Sequence, residues 1–329
     1  MAEAKPENEI EDDQCPVGKI IHKWVCDKEK ECLDKVGGNK ERFREDVKKA
    51  LDKLFNAHKI FKLEEGIQSF KYERTFIQFG YIYKHAMFSA RSLSKVMHRS
   101  NVLNKLEEKS SITIACLGGG PGSDVLGVLD YFRDFEGQLN IQLYDRKNKW
   151  GKCWKSLQAA IDEELHDPRV TVSFHDFDVT TADKNKPDIQ DADVITMHYF
   201  MEEVYSEREK EEVKECFDHI IQTAKPGALF LYSGMYMYQA TDWVHRLLKD
   251  NCKVLEPNMD LHIDLPRICQ DYITVESIWI YRIQVDLRQE GDLKLFYDIR
   301  DNLETGGYPV KEISFRLDGN VVYRLYQKK

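Results

Sequence analysis

The chain has 329 residues, is 42% hydrophobic and 32% charged, and carries a formal net charge of −9. That is enough apolar material for one large core or two smaller ones in an ordinary globular protein, which excludes a largely disordered chain. It holds no run of about 18 apolar residues to span a bilayer, and the acidic start from Met1 to Gln14 lacks the basic-then-apolar order of a signal peptide.

Residues 1–14 read as a disordered acidic tail. Eight cysteines are scattered through the sequence with no Cys-x-x-Cys pair, the pattern of reduced thiols rather than a zinc or iron-sulfur site. The expected location is therefore cytoplasmic, or nuclear, with no metal and no membrane partner.

Residues 15–110 form the expected N-terminal helical cap. Val47, Leu51, Leu54 and His58 make one stripe at helical spacing, and Phe70, Phe76, Phe79, Tyr83 and Met87 another. Gly37-Gly38 and Gly66 punctuate them. Residues 36–110 have a net charge of +7, which a solvated helix face explains more simply than a nucleic-acid surface. The aromatic helix from Phe70 to Met87 is either a lid over a ligand, with Tyr83 on the acceptor, or a helix docked on a sheet.

From residue 111 onward strands and helices alternate. The expected strands are Ile112 to Leu117, Leu139 to Tyr144, Val170 to Phe174, Val194 to Tyr199 and Ala228 to Ser233. Helical runs lie at Val125 to Phe135, Trp150 to Leu165, Glu207 to Thr223 and Asp242 to Leu248. Such alternation predicts a doubly wound, mainly parallel sheet with helices on both faces. Lys225-Pro226-Gly227 turns the chain into the fifth strand. Later runs at Ile278 to Val285 and Leu293 to Ile299, and a hairpin from Ser314 to Tyr326 around Asp318-Gly319, predict antiparallel C-terminal strands.

The most informative stretch is Leu117-Gly-Gly-Gly-Pro-Gly-Ser-Asp124. Glycines alternating at 118, 120 and 122, between a strand and a helix, imply positive φ and bare main chain against a ligand. A phosphate loop would need Lys followed by Ser or Thr where Ser123 and Asp124 stand. A dinucleotide site would need a third glycine where Gly-x-Gly-x-x-Ser runs out, and Asp124 would repel a pyrophosphate. A cofactor with a sulfonium and an amino-acid end has neither objection.

At these residues the chain resembles the class I S-adenosylmethionine-dependent methyltransferases, whose first motif is acid-x-Gly-x-Gly-x-Gly. Gly118, Gly120 and Gly122 fall on its glycines, and the likeness runs in family order from Ile112 to Gly234. The resemblance implies a seven-stranded sheet and an S-adenosylmethionine-binding domain over 111–329. It implies that Gly118, Gly119, Gly120 and Gly122 bear the cofactor and that Asp145, with Arg146 beside it, accepts bonds from the ribose. An acid after the third strand, Asp178 or Asp176, would meet the adenine amino group, with Phe177 on the adenine face. Cys116 stands where the family has an acid for the cofactor's ammonium; Asp124 either replaces that acid or caps its helix.

Methyl transfer from a sulfonium asks the protein to align a nucleophile and remove a proton. The segment after the fourth strand is the place for that in an open sheet. His198 has a suitable intrinsic pKa for the base, and it would also touch the cofactor; the plainer role is a backbone hydrogen bond. Tyr199 and Glu202 are candidate acceptor contacts, and Glu202 or Glu203 would hold a cationic group or simply favour the helix start. Trp150 and Trp154 either cover the adenosine or pack in the core. The segment lacks the Pro-Pro-aromatic run of enzymes that methylate base amines. The expected activity is methyl transfer to a small molecule or a modest-sized amine or hydroxyl acceptor. An RNA methyltransferase and a catalytically silent partner-binding module are the alternatives.

Overall fold

The computed structural model describes residues 16–61, 72–181, 186–234, 238–261 and 321–329. Helix α1 (Pro16–Lys35) begins with proline, whose missing N–H has no helical partner to lose. It ends where Gly37 and Gly38 take φ of 63° and 75°, and α2 (Lys40–Phe61) follows. In α2 the buried Phe43, Val47, Ala50, Leu51 and Leu54 form the expected stripe. Helix α3 (Thr75–Tyr81) passes through a π-helical turn (Ile82–Ala86) into α4 (Met87–Arg99). Phe70 and the side chains of His58 and Met87 lie outside the described residues.

The alternating half folds as β1 (Ser111–Leu117), α5 (Ser123–Tyr131), β2 (Gln138–Asp145), α6 (Lys147–Glu164), β3 (Val170–Asp176) and β4 (Val194–His198). It continues as α7 (Phe200–Val204), α8 (Glu211–Thr223), β5 (Leu229–Gly234), α9 (Tyr238–Leu248), β6 (Cys252–Leu261) and β7 (Val321–Lys328). One seven-stranded sheet results, ordered β3-β2-β1-β4-β5-β7-β6. The first five strands run parallel, and β7 is antiparallel to both β5 and β6. This is the doubly wound sheet with antiparallel C-terminal strands that the sequence predicts. The hairpin's second arm is β7; its first arm and the runs at 278–285 and 293–299 lie outside the described residues.

Strand periodicity divides the apolar side chains between two layers. Ile112, Ile114 and Cys116 of β1, with Leu229 and Leu231 of β5, join the core beneath α1 to α6. Ala115 and Leu117, with Phe230 and Tyr232, join the core beneath α7 to α9. The N-terminal helices belong to the first layer and share its core with the sheet. Trp24 Nε1 of α1 donates to Ser156 Oγ of α6 at 3.1 Å, and Gln78 Nε2 of α3 donates to the Lys149 carbonyl at 2.7 Å. The first holds α1 along the middle of α6, and the second holds α3 beside the carboxyl end of β2. At that end of the sheet the strand order reverses between β1 and β4, opening the crevice where such sheets take their ligands.

Candidate functional site

The loop from β1 to α5 has the backbone its glycines require. Gly118, Gly120 and Gly122 have φ of 68°, 59° and 113°, a region where a side chain on an L-residue is strained. The Gly118 N–H continues the β1–β2 ladder by donating to the Tyr144 carbonyl at 2.8 Å. A Cβ on Gly118 would run into the Phe200 ring, and one on Gly119 into Leu143. Gly120 is different: the nearest atom to such a Cβ is the Tyr81 hydroxyl at 4.0 Å, so its main chain faces the crevice bare.

Asp145, at the tip of β2, reaches across to this bare point. Its Oδ2 accepts the Gly120 N–H at 2.8 Å and its Oδ1 the Arg146 N–H at 2.6 Å. Each carboxylate oxygen has a second lone pair for a further donor. Burial pushes this carboxyl up to about 7, while the two N–H groups pull the other way and Glu203 adds to the rise.

Beneath the loop, Asp124 is 1% exposed and caps nothing: the N-cap of α5 is Gly122, without a side-chain cap bond. Its Oδ2 instead accepts the Thr196 hydroxyl at 3.4 Å, beside the buried Cys116 thiol. Burial, and then repulsion from Asp145, raise its pKa well above the carboxylate range. Of the two roles weighed for Asp124, the helix cap is therefore corrected. A carboxyl group does stand under the loop, though it enters from α5 and not from β1.

The third-strand acids serve their own loops. Asp176 Oδ1 accepts the Lys147 N–H at 2.8 Å at the start of α6. Asp178 Oδ1 accepts the Thr180 N–H at 3.0 Å and its hydroxyl at 2.7 Å, and Asp178 Oδ2 lies 3.9 Å from Arg146 Nη1. Phe177 corrects an expectation. It is buried in the second core, edge-on to Tyr144 with ring centroids 6.2 Å apart, and offers no open face to an adenine.

After β4 the structure redistributes the roles. His198 is 2% exposed and engaged at both ring nitrogens: Nδ1 with Ser233 Oγ at 2.7 Å, Nε2 with the Ser89 carbonyl and Ser92 Oγ, each at 3.0 Å. A carbonyl only accepts, so Nε2 carries the proton and Nδ1 accepts from Ser233. Burial lowers the His198 pKa to about 3. Its assignment as general base is thus corrected: it is a neutral strut between α4 and β5. Tyr199 follows with φ of 54°, an uncommon conformation for a non-glycine residue, and its ring packs on His198.

Glu202 and Tyr83 are also corrected as acceptor contacts. Glu202 is 4% exposed, turns under β5 against Gly234, and its Oε1 accepts the Tyr232 hydroxyl at 3.1 Å. Tyr83 is buried and stacks on Phe79. Tyr81, two residues earlier on nearly the opposite side of the helix, faces the loop. Around Tyr81 stand Tyr72 and Trp150, while Trp154 packs against Gly122 and Phe174. Glu203 is half-buried, and its charge reaches Asp145, Tyr72 and Tyr81. Helical phase points to Tyr81 over Tyr83; no sequence signal separates Glu203 from Glu202.

Among the described residues no group of three or more His, Cys, Asp or Glu could hold a metal, and no helix is long and apolar enough to cross a membrane. No protein-family profile matches the chain. No curated protein matches it either. Solved structures similar to it include an O-methyltransferase family protein from Burkholderia thailandensis, 17% identical over 51% of this chain and 52% of that one, with a TM-score of 0.36. The [4+2]-cyclase SpnF is 13% identical over 72% of this chain and 81% of its own, at 0.39. The phosphoethanolamine N-methyltransferase 2 of Haemonchus contortus, solved with S-adenosyl-L-methionine, is 14% identical over 78% and 59%, at 0.38. The chain thus spans about half the length of the first of these.

Proposed function

We propose that this chain is an S-adenosylmethionine-dependent methyltransferase acting on a small molecule or a modest-sized amine or hydroxyl acceptor. The observation that carries the reading is the join between two strand tips: Asp145 of β2 bonded to the Gly120 N–H, where positive φ and a missing Cβ leave main chain bare. Asp145 keeps two acceptor positions for the ribose hydroxyls. Gly120 offers the amino-acid end main chain with no side chain over it, Gly118, Gly119 and Gly122 let the loop close on Phe200, Leu143 and Leu157, and Asp124 is the carboxyl group beneath the loop. The residues present therefore fit the cofactor. When bound, it supplies a methyl group activated by a sulfonium. The protein's share is then alignment of the acceptor and acceptance of its proton, and with His198 buried the half-buried Glu203, within electrostatic reach of Asp145, is the carboxylate we assign to that proton.

The alternatives draw unequal support. On α2, Arg42 and Lys49 pair along their own helix with Asp46 and Glu45, which leaves less free positive charge for an RNA. A silent partner-binding module is favoured by the Phe200 ring lying on Gly118 and by Cys116 in the acid position. Calorimetry decides. Saturable binding of S-adenosylhomocysteine, weakened in Asp145→Ala, supports the enzyme; no heat at millimolar ligand supports the module.

A further inference from the structure

The two edges of the sheet are built differently. At one, β6 carries Lys253, Glu256, Pro257 and Asp260 and shifts register twice against β7, between Val254 and Glu256 and between Glu256 and Met259. Charge, proline and bulges are the devices by which an edge strand refuses a further strand. At the other edge β3 reads Val170-Thr-Val-Ser-Phe-His-Asp176, in unbroken register with β2, and has none of these devices before Asp176.

The outer side of β3 still has its main-chain groups to offer. The Leu139 N–H donates to the Arg169 carbonyl at 2.9 Å and the Phe177 N–H to the Asp145 carbonyl at 3.0 Å, so the odd-numbered residues bond inward to β2. The even-numbered ones therefore turn their N–H and carbonyl groups outward. The Val170 N–H is taken by the Asp167 carbonyl at 3.1 Å. Among the described residues no hydrogen bond reaches the N–H groups of Val172, Phe174 and Asp176, or the carbonyls of Val170, Val172 and Phe174.

This strand is complementary to itself. Two antiparallel copies related by a twofold axis at Ser173 set outward groups against outward groups. Val172 then faces Phe174 and Val170 faces Asp176 as hydrogen-bonded pairs, while Thr171 faces His175 and Ser173 faces its own copy as the closer, non-bonded pairs. Val170, Val172 and Phe174 lie together on the face packed against the first core, so apolar side chains meet across the join and no like charges do. Helix α6 lies over the same edge, with Trp154 and Phe174 ring centroids 5.9 Å apart. Its exposed Lys147, Lys152 and Lys155 come first and Asp162, Glu163 and Glu164 last, Glu163 being shared with Lys23. The axis that pairs the strands runs the two α6 helices antiparallel as well, the basic start of each toward the acidic end of the other.

We infer that β3 is the docking edge for a second copy of this chain, which pairs antiparallel across Ser173 and joins the two sheets edge to edge. This interface is independent of the methyltransferase reading.

Sedimentation equilibrium of the full chain should give twice the 38.6 kDa of one chain. Ser173→Lys sets two like charges on the axis and should weaken the dimer on the order of 100-fold, as should Ser173→Glu; mixing the two variants should restore it, which also shows that both fold. Ser173→Cys should give a disulfide-linked dimer on mild oxidation, because directly opposed non-bonded residues have Cα atoms about 4.5 Å apart, within disulfide reach. Thr171→Cys, which faces His175, should not, and the wild-type chain with its eight cysteines is the blank. A wild-type chain that is monomeric at every concentration measured overturns the inference, whether the edge is then covered by its own chain or takes another protein's strand. A dimer unmoved by both charged variants, or one that Thr171→Cys links as readily as Ser173→Cys, also overturns it.

Discussion

Replacing His198 with Gln separates a buried strut from a catalytic base. In the folded chain the ring is 2% exposed and its pKa is lowered to about 3 by burial; in the unfolded chain it is about 6.5. A depressed folded pKa means that the neutral form stabilises the fold above pH 6.5 and that this contribution drains away as pH falls toward 3. At pH 5 the unfolded chain gains about 2 kcal/mol from protonating His198, a value insensitive to the folded pKa anywhere below about 4, and near pH 3 it gains about 4 to 5 kcal/mol. Urea unfolding followed by tryptophan fluorescence, at pH 7.5 and 5.0 on both proteins, measures this, because every other group titrates equally in the pair. His198→Gln should be less stable by about 1 to 3 kcal/mol at pH 7.5 through its lost bonds to Ser233 and Ser89. That gap should narrow by about 2 kcal/mol at pH 5. A gap independent of pH would show a ring open to water and refute the reasoning. So would a pKa near 6.5 in the kcat/KM profile that vanishes in the variant.

Further outcomes follow from the crevice. Asp145→Ala should weaken S-adenosylhomocysteine binding by about 10- to 100-fold, the worth of bonds from a carboxylate to hydroxyls, with little change in Tm. Because the Asp145 carboxyl sits up at about 7, cofactor affinity should fall as pH drops below 7, by up to tenfold per unit; calorimetry at pH 6 and 8 reads this, and a flat profile would place the ribose elsewhere. Gly120→Ala should cost about 1 to 2 kcal/mol for its positive φ and also cover the bare main chain, so that binding falls more than stability. Gly118→Ala should unfold the loop outright, since the Phe200 ring occupies the position of the added methyl; a wild-type melting curve would show that ring to be free to move.

Much of the architecture was legible because it rests on local periodicity. The alternation of Ile112, Ile114 and Cys116 with Ala115 and Leu117 marks a strand buried on both sides, whichever partner it finds. The glycines at 118, 120 and 122 announce their own φ values, and Asp145 is placed by ending the second strand. The acceptor side was less legible because it depends on small rotations. Glu202 and Glu203 are adjacent and chemically identical; the rotation of about 100° between them on α7 sends the first under β5 and leaves the second half-exposed. Tyr81 and Tyr83 divide in the same way at the start of the π-helical turn.

From residue order alone came the strand-and-helix alternation, the loop that must lack side chains, and the acid that reaches it, each a consequence of spacing along one stretch of backbone. Only the packed chain decided that His198 is sealed between α4 and β5, that Asp124 is buried beneath the loop beside Cys116, and that Tyr72 and Trp150 close on Tyr81. Those pairs lie far apart in sequence, and burial, charge and ring contact exist only once tertiary packing brings them together.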